Sequence, residues 1–199
     1  MKKIKEILVG TNNVGKYEEI CNLLPKGIKK HSLREFKLSS PKENGKSFED
    51  NSLIKASYFS KKTNLICLSD DSGLEVDILD GAPGIYSSRW AGKKNNFNLA
   101  INKIYKEMKK AKVNWKNYNS AKFTCCLTLF WPGGKSYVSR GVVQGKISPK
   151  KKGENGFGYD PIFIPDGYSK TFGEMNFFLK MSIDHRQKAY ARIKKFFYQ

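Results

Sequence analysis

The stretch from Leu68 to Arg89, LSDDSGLEVDILDGAPGIYSSR, restricts the folds open to this chain more than any other. It is entered from Leu65-Ile66-Cys67-Leu68, a short aliphatic run of the kind that forms a buried strand. The run gives way at once to Asp70-Asp71-Ser72-Gly73. Two adjacent carboxylates at the end of a buried strand are costly unless something positive faces them. Side chains alternate along a strand, so the two acids point to opposite faces and need not share one role. A divalent metal is the simplest counter-charge, and Gly73 lets a ligand come close to the backbone. A strand ending in an Asx-type turn is the plainer alternative. The rest of the chain decides between them.

A chain of 199 residues with 39% hydrophobic and 13% aromatic residues is read as one domain, 1–199, with a sizeable core, which excludes general disorder. No apolar run reaches the length of a membrane span, and Ile7-Leu8-Val9 is too short for a signal-peptide core. Cys21, Cys67, Cys125 and Cys126 sit in apolar patterns without a CxxC pair, which reads as reduced core cysteines of a cytoplasmic protein. The formal charge of +19 invites a nucleic-acid reading. The lysines are spread along the whole chain, however, and no nucleic-acid module is present, so no specific nucleic-acid partner is expected. A positive field suits any anionic substrate.

In chain order, Ile4–Val9 predicts a first strand, followed by the polar loop Gly10-Thr11-Asn12-Asn13-Val14-Gly15-Lys16. Tyr17, Ile20, Cys21 and Leu24 then stripe a helix that Pro25 stops. Strand, loop, helix N-terminus and lysine together make a phosphate site of free N–H groups, dipole and ammonium. Gly10, Gly15 and Lys16 have the spacing of a P-loop, but Tyr17 stands where that motif needs a magnesium-binding hydroxyl. Residues 26–46 read as irregular. Ser47-Phe48-Glu49-Asp50 caps a second helix through about Lys62, and Lys55 on it reads on its own as a solvated helix lysine. Phe97, Ile101, Ile104, Tyr105 and Met108 stripe a third. Phe123–Trp131 and Tyr137–Val143 flank Pro132-Gly133-Gly134 as a hairpin, and Ile162–Ile164 is a further short strand. Phe157 between two glycines can stack on a flat ligand or fold back on the core. A last helix is expected from about Ser182 to Phe197, with His185 and Arg186 in its first turn, where cations oppose the dipole.

Six pieces carry a resemblance: Thr11-Asn12-Asn13-Val14-Gly15-Lys16; Ser47-Phe48-Glu49-Asp50-Asn51 with Lys55; Asp70-Asp71-Ser72-Gly73-Leu74; Gly81-Ala82-Pro83-Gly84-Ile85-Tyr86-Ser87; Gly156-Phe157-Gly158-Tyr159-Asp160-Pro161; and Asp184-His185-Arg186. In this order, over nearly the whole chain, they resemble the inosine triphosphate pyrophosphatase family. The resemblance implies an α/β fold with an elongated central mixed β-sheet flanked by helices in two lobes, and a homodimer.

It also implies magnesium-dependent hydrolysis of ITP, dITP and XTP to the monophosphate and pyrophosphate, cleansing the nucleotide pool of deaminated purines. Asp71 matches the catalytic acid and, with Glu43, the metal ligands. Thr11, Asn12, Asn13, Val14, Gly15, Lys16 and Lys55 would hold the phosphates, with Arg89 as a helper, and Ser72 matches a substrate contact. Phe157 would stack on the purine, beside Gly158 and Tyr159, while Asp160, Lys180, His185 and Arg186 match positions that read its edge. Cationic donors suit the carbonyl of hypoxanthine or xanthine and are left unsatisfied by the amino group of adenine. The chain departs from the family where Asn12 replaces a common Gly, where Lys42-Glu43-Asn44 is less acidic, and where Asp184 replaces the usual Ser. Asp184 is expected to shift preference among the oxo-purines.

Overall fold

The computed structural model describes residues 4–92 and 95–198. Its strands are β1 (Glu6–Val9), β2 (Lys29–Ser32), β3 (Cys67–Val76), β4 (Ser120–Phe130), β5 (Ser136–Ile147) and β6 (Phe163–Pro165). They form one mixed sheet in the order β2-β1-β3-β4-β5-β6, with β1 parallel to β2 and β3 and β5 antiparallel to β6. The α-helices among the described residues are α1 (Val14–Leu23), α2 (Phe48–Thr63), α3 (Ser87–Trp90), α4 (Phe97–Ala111), α5 (Phe177–Ile183) and α6 (His185–Ile193). The fold is α/β. No helix among the described residues is long and apolar enough to cross a membrane.

Two compact units make up the chain. One comprises Met1–Asp71, Cys125–Gly141 and His185–Gln199, the other Ser72–Thr124 and Val142–Asp184. In the first, successive residues of β1 serve opposite sides of the sheet, as a period of two requires. Ile7 and Val9 join Ile20, Leu127, Ala189 and Ile193, while Leu8 packs with Leu33, Phe59 and Cys67. With both faces covered, these strands read as continuous apolar runs. In the second unit, Ile101, Ile104 and Met108 of α4 pack with Phe123, Phe163 and Phe172. The cysteines are free thiols, with Cys67, Cys125 and Cys126 buried and Cys21 half-buried.

Three elements differ from the sequence expectations. Residues 29–32 are a strand, not irregular chain. The acidic stretch does not terminate β3, which runs on through Asp70, Asp71 and Gly73 to Val76. The last helix is two: α5 ends at Asp184, whose backbone is extended (φ −72°, ψ 169°), and α6 starts afresh at His185. Gly141 of β5 explains how closely α6 is seated. A Cβ there would lie 2.1 Å from the His185 carbonyl oxygen and 2.3 Å from the Ala189 nitrogen, so the first turn of α6 rests on bare backbone.

The edge strand β2 carries a titrating clamp. His31 Nδ1 lies 2.8 Å from Glu35 Oε2 and its Nε2 lies 3.0 Å from Glu6 Oε2. Hydrogen bonds to Glu35 and then Glu6 raise its pKa above 6.5, outweighing burial and the nearby Lys29. A raised folded-state pKa means stability that is fully present below the unfolded value and lost as pH rises through the folded one. Both carboxylates are half-exposed, so the contribution is about 1 kcal/mol or less. Melting curves of the native protein and His31→Gln should therefore lie furthest apart near pH 6 and converge by pH 9. A constant gap would exclude the clamp.

Candidate active site

The loop 10–16, expected above to hold phosphates, is held by its own side chains. Asn13 caps α1, its Oδ1 accepting from the Lys16 N–H at 2.9 Å, and Thr11 Oγ1 accepts from the Asn13 N–H at 3.2 Å. Asn12 donates to Ser40 Oγ at 3.0 Å, while Val14 and Gly15 open the helix. Beside the loop, Thr11–Val14, Tyr17 and Ser32–Arg34 line a cleft of about 180 Å³.

The two acids of β3 point opposite ways, as the alternation requires. Asp70, fully buried, meets Lys16 Nζ at 3.0 Å and Arg186 Nη2 at 3.3 Å through the same oxygen, Oδ2. Burial alone would raise its pKa, but Lys16, Arg186 and Lys55 together hold it well below the carboxylate range. Asp71 takes the other side. Its Oδ1 receives Lys55 Nζ at 3.1 Å and its Oδ2 receives Asn51 Nδ2 at 3.3 Å. Here desolvation outweighs Lys55 and Lys16, with Glu43 and Asp70 adding repulsion, and the pKa rises above its ordinary 3.8.

Lys55 is thus no solvated helix lysine. It is 7% exposed and its ammonium also meets Glu43 Oε1 at 3.0 Å. Burial would lower its pKa, but Asp71, Asp70 and Glu43 together push it up. Residues 41–46 carry Glu43 in, anchored by the Gly45 N–H on Asn51 Oδ1 at 2.9 Å. Asp71 and Glu43 therefore face one another across a single cation.

Arg186, in the first turn of α6, is 1% exposed, and its guanidinium donates to Glu19 of α1 as well as to Asp70. His185 beside it is 4% exposed. Asp184, whose substitution for Ser was singled out above, is fully buried, its N–H bonded to the Lys180 carbonyl at 3.0 Å.

In the second unit the loop 156–160 is tied by Asp160, whose Oδ2 accepts the Phe157 N–H at 2.8 Å and Lys180 Nζ at 2.6 Å. Gly156 has φ +73°, and a Cβ there would come within 2.1 Å of that same oxygen, so only glycine allows the loop to close on Asp160. The Lys180 ammonium also lies 4.7 Å from the centre of the half-buried Phe157 ring. Tyr159 is a core residue, its hydroxyl donating to the Ser87 carbonyl at 2.9 Å and its ring set edge-on to Phe97. Gly158 follows Phe157 with φ +68°. Ser72 is half-buried on β3, and Arg89 lies over the Tyr86 ring at 4.8 Å.

Two residues of the first unit escaped the sequence reading. Arg34 lines the loop cleft from a segment read as irregular. Glu19 is 2% exposed, yet in sequence it is indistinguishable from its exposed neighbour Glu18.

Against known proteins, a family model described as the Ham1 family matches residues 7–196. The dITP/XTP pyrophosphatase of Bartonella quintana (strain Toulouse) is 43% identical over 176 residues, covering 86% of this chain and 82% of the relative. That of Caulobacter vibrioides is 39% identical over 189 residues, covering 95% and 96%. Among solved structures, a HAM1 protein from Coxiella burnetii superposes with a TM-score of 0.86 at 34% identity, covering 96% of this chain and 98% of that one.

Proposed function

The chain belongs to the Ham1 family, and from that premise we propose that it hydrolyses non-standard purine nucleoside triphosphates, dITP, XTP and ITP, to the monophosphate and pyrophosphate. Such an enzyme keeps deaminated purines out of the precursor pool for DNA and RNA. The observation that carries the reading is the cluster of Lys16, Asp70, Asp71, Lys55 and Glu43 beside a capped phosphate loop.

Asp71 is the group to accept a proton from the attacking water, a buried carboxylate held in place by Lys55 and Asn51. Lys16, Lys55 and the N-terminus of α1 bind the triphosphate oxygens. Magnesium fits the donor set. Asp71 and Glu43 are two hard oxygen donors converging on one cationic position, and no third His, Cys, Asp or Glu among the described residues joins them to enclose a metal. Magnesium takes one or two carboxylates and leaves its other positions to water and phosphate. Held there, it would neutralise charge on the phosphoryl oxygens and acidify a water.

Phe157 stacks on the purine, and the Lys180 ammonium donates to its 6-oxo group. Free thiols suit a reducing cytoplasm. The family resemblance further implies a homodimer, which light scattering can test.

Pyrophosphate release from ITP, XTP, dITP, GTP and ATP tests the reading, with magnesium and after chelation. Turnover should be rapid on the first three, slow on GTP and ATP, and abolished by chelation until magnesium is restored. Even rates on all five would overturn the base selection, and no turnover would overturn the function. Lys180→Met should lower the ITP-to-ATP rate ratio by about 10- to 100-fold, the worth of one charge-assisted hydrogen bond. A general loss of stability would leave that ratio unmoved.

A further inference from the structure

Glu19 takes no part in the reaction as described, yet it is a carboxylate in the interior, which is costly unless something fixed neutralises it. Its partner is Arg186, whose planar fork is split between two acids, Nη1 to Glu19 Oε2 and Nη2 to Asp70 Oδ2. The same Asp70 oxygen holds Lys16. Four charges thus alternate in sign, Glu19, Arg186, Asp70, Lys16. The first three are at most 2% exposed, and only Lys16, with 17% of its side chain exposed, reaches solvent. Lys16 and Glu19 are three residues apart on α1, hence on one face of it. The chain of contacts therefore closes on itself: it leaves α1 at Glu19, passes through α6 and β3, and returns to α1 at Lys16.

We infer that Glu19 is a positioning residue, acting through Arg186 and Asp70 to hold the Lys16 ammonium at the phosphate loop. A lysine has a flexible four-carbon stem, and its ordering on binding costs affinity unless the protein orders it beforehand. Asp70 Oδ2 does that. Glu19 engages one arm of the guanidinium and Asp70 the other. Without the Glu19 charge, both arms turn to the Asp70 carboxylate in a bidentate pair and compete with Lys16 for it.

The inference rests on the phosphate-binding reading of the loop, and the test separates the two. Calorimetric titration with inorganic pyrophosphate, at fixed magnesium, is made on the full chain, Lys16→Gln, Glu19→Gln and the double variant. Lys16→Gln should weaken binding about 10-fold or more, as loss of a charge-assisted contact does. Glu19→Gln should weaken it several-fold, and the double variant should bind no worse than Lys16→Gln alone, the signature of one shared path. Glu19→Asp keeps the charge on a shorter stem and should fall between native and Gln, and it takes the place of Gln in the cycle should Gln not fold. Native-like binding by the Glu19 variants, or an effect that adds in full to that of Lys16→Gln, overturns the inference. Absence of pyrophosphate binding by the native protein overturns the phosphate reading itself, and the inference with it.

Discussion

Asp71→Asn should lower pyrophosphate release from dITP by about 10³-fold, within the range supplied by a positioned general base, while the protein stays folded. The substitution keeps size and shape, and leaves one oxygen to accept from Asn51 or Lys55. What it removes is the charge that takes the proton in the proposed reaction. Stability should move the other way. The folded-state pKa of Asp71 is raised, so above the unfolded value its ionised form is disfavoured by folding, and the neutral amide escapes that cost. In chelator, at neutral pH, Asp71→Asn should melt at or above the native temperature. Lys55 keeps Glu43 and the field of Asp70 as counter-charges, so the amide does not strand a buried cation. An asparagine variant that retains more than a tenth of native turnover would remove Asp71 from the role of base. One that is inactive because it is unfolded would show that burial of the charge had been misjudged.

What the sequence disclosed about this site follows from distance along the chain. The strand–loop–helix around residues 10–16, the cap on α2 and the opposed directions of Asp70 and Asp71 are set by neighbours within a few residues, and alternation or capping chemistry suffices to read them. β2 was missed because Lys29-Lys30-His31-Ser32 has no apolar pattern. It is a strand through its parallel pairing with β1, and its lysines suit the charged edge of a sheet. β3 was read too short for a related reason. Buried acids interrupt an apolar run only if they stay unpaired, and Lys16, Lys55 and Arg186 pair them from elsewhere. Arg186 and Glu19 are 167 positions apart, and no local rule joins them. The family resemblance placed Arg186 among the residues that read the purine edge; the structure adds that its guanidinium engages two carboxylates.

That engagement makes Arg186 the position with the largest expected effect on stability. Arg186→Met keeps most of the side-chain volume but removes the guanidinium from which Glu19 and Asp70 both accept. Removing one partner of a buried ionic group costs about 3–5 kcal/mol, because the carboxylates left behind are dehydrated and have lost a fixed counter-charge. For a chain of this length, that lowers the melting temperature by about 6–20 °C. The loss is pH-dependent in a defined sense. Asp70 has a depressed pKa, so its contribution is present above the unfolded value of 3.8 and fades as pH falls. The gap between native and Arg186→Met should therefore be full at neutrality and narrow only as pH falls below about 4. Adding Glu19→Gln to Arg186→Met removes one stranded charge and should recover part of the loss, even though Glu19→Gln alone is destabilising. Recovery in the double variant is what distinguishes a charge left without its partner from a simple packing defect, since a cavity would deepen with the second substitution or be indifferent to it.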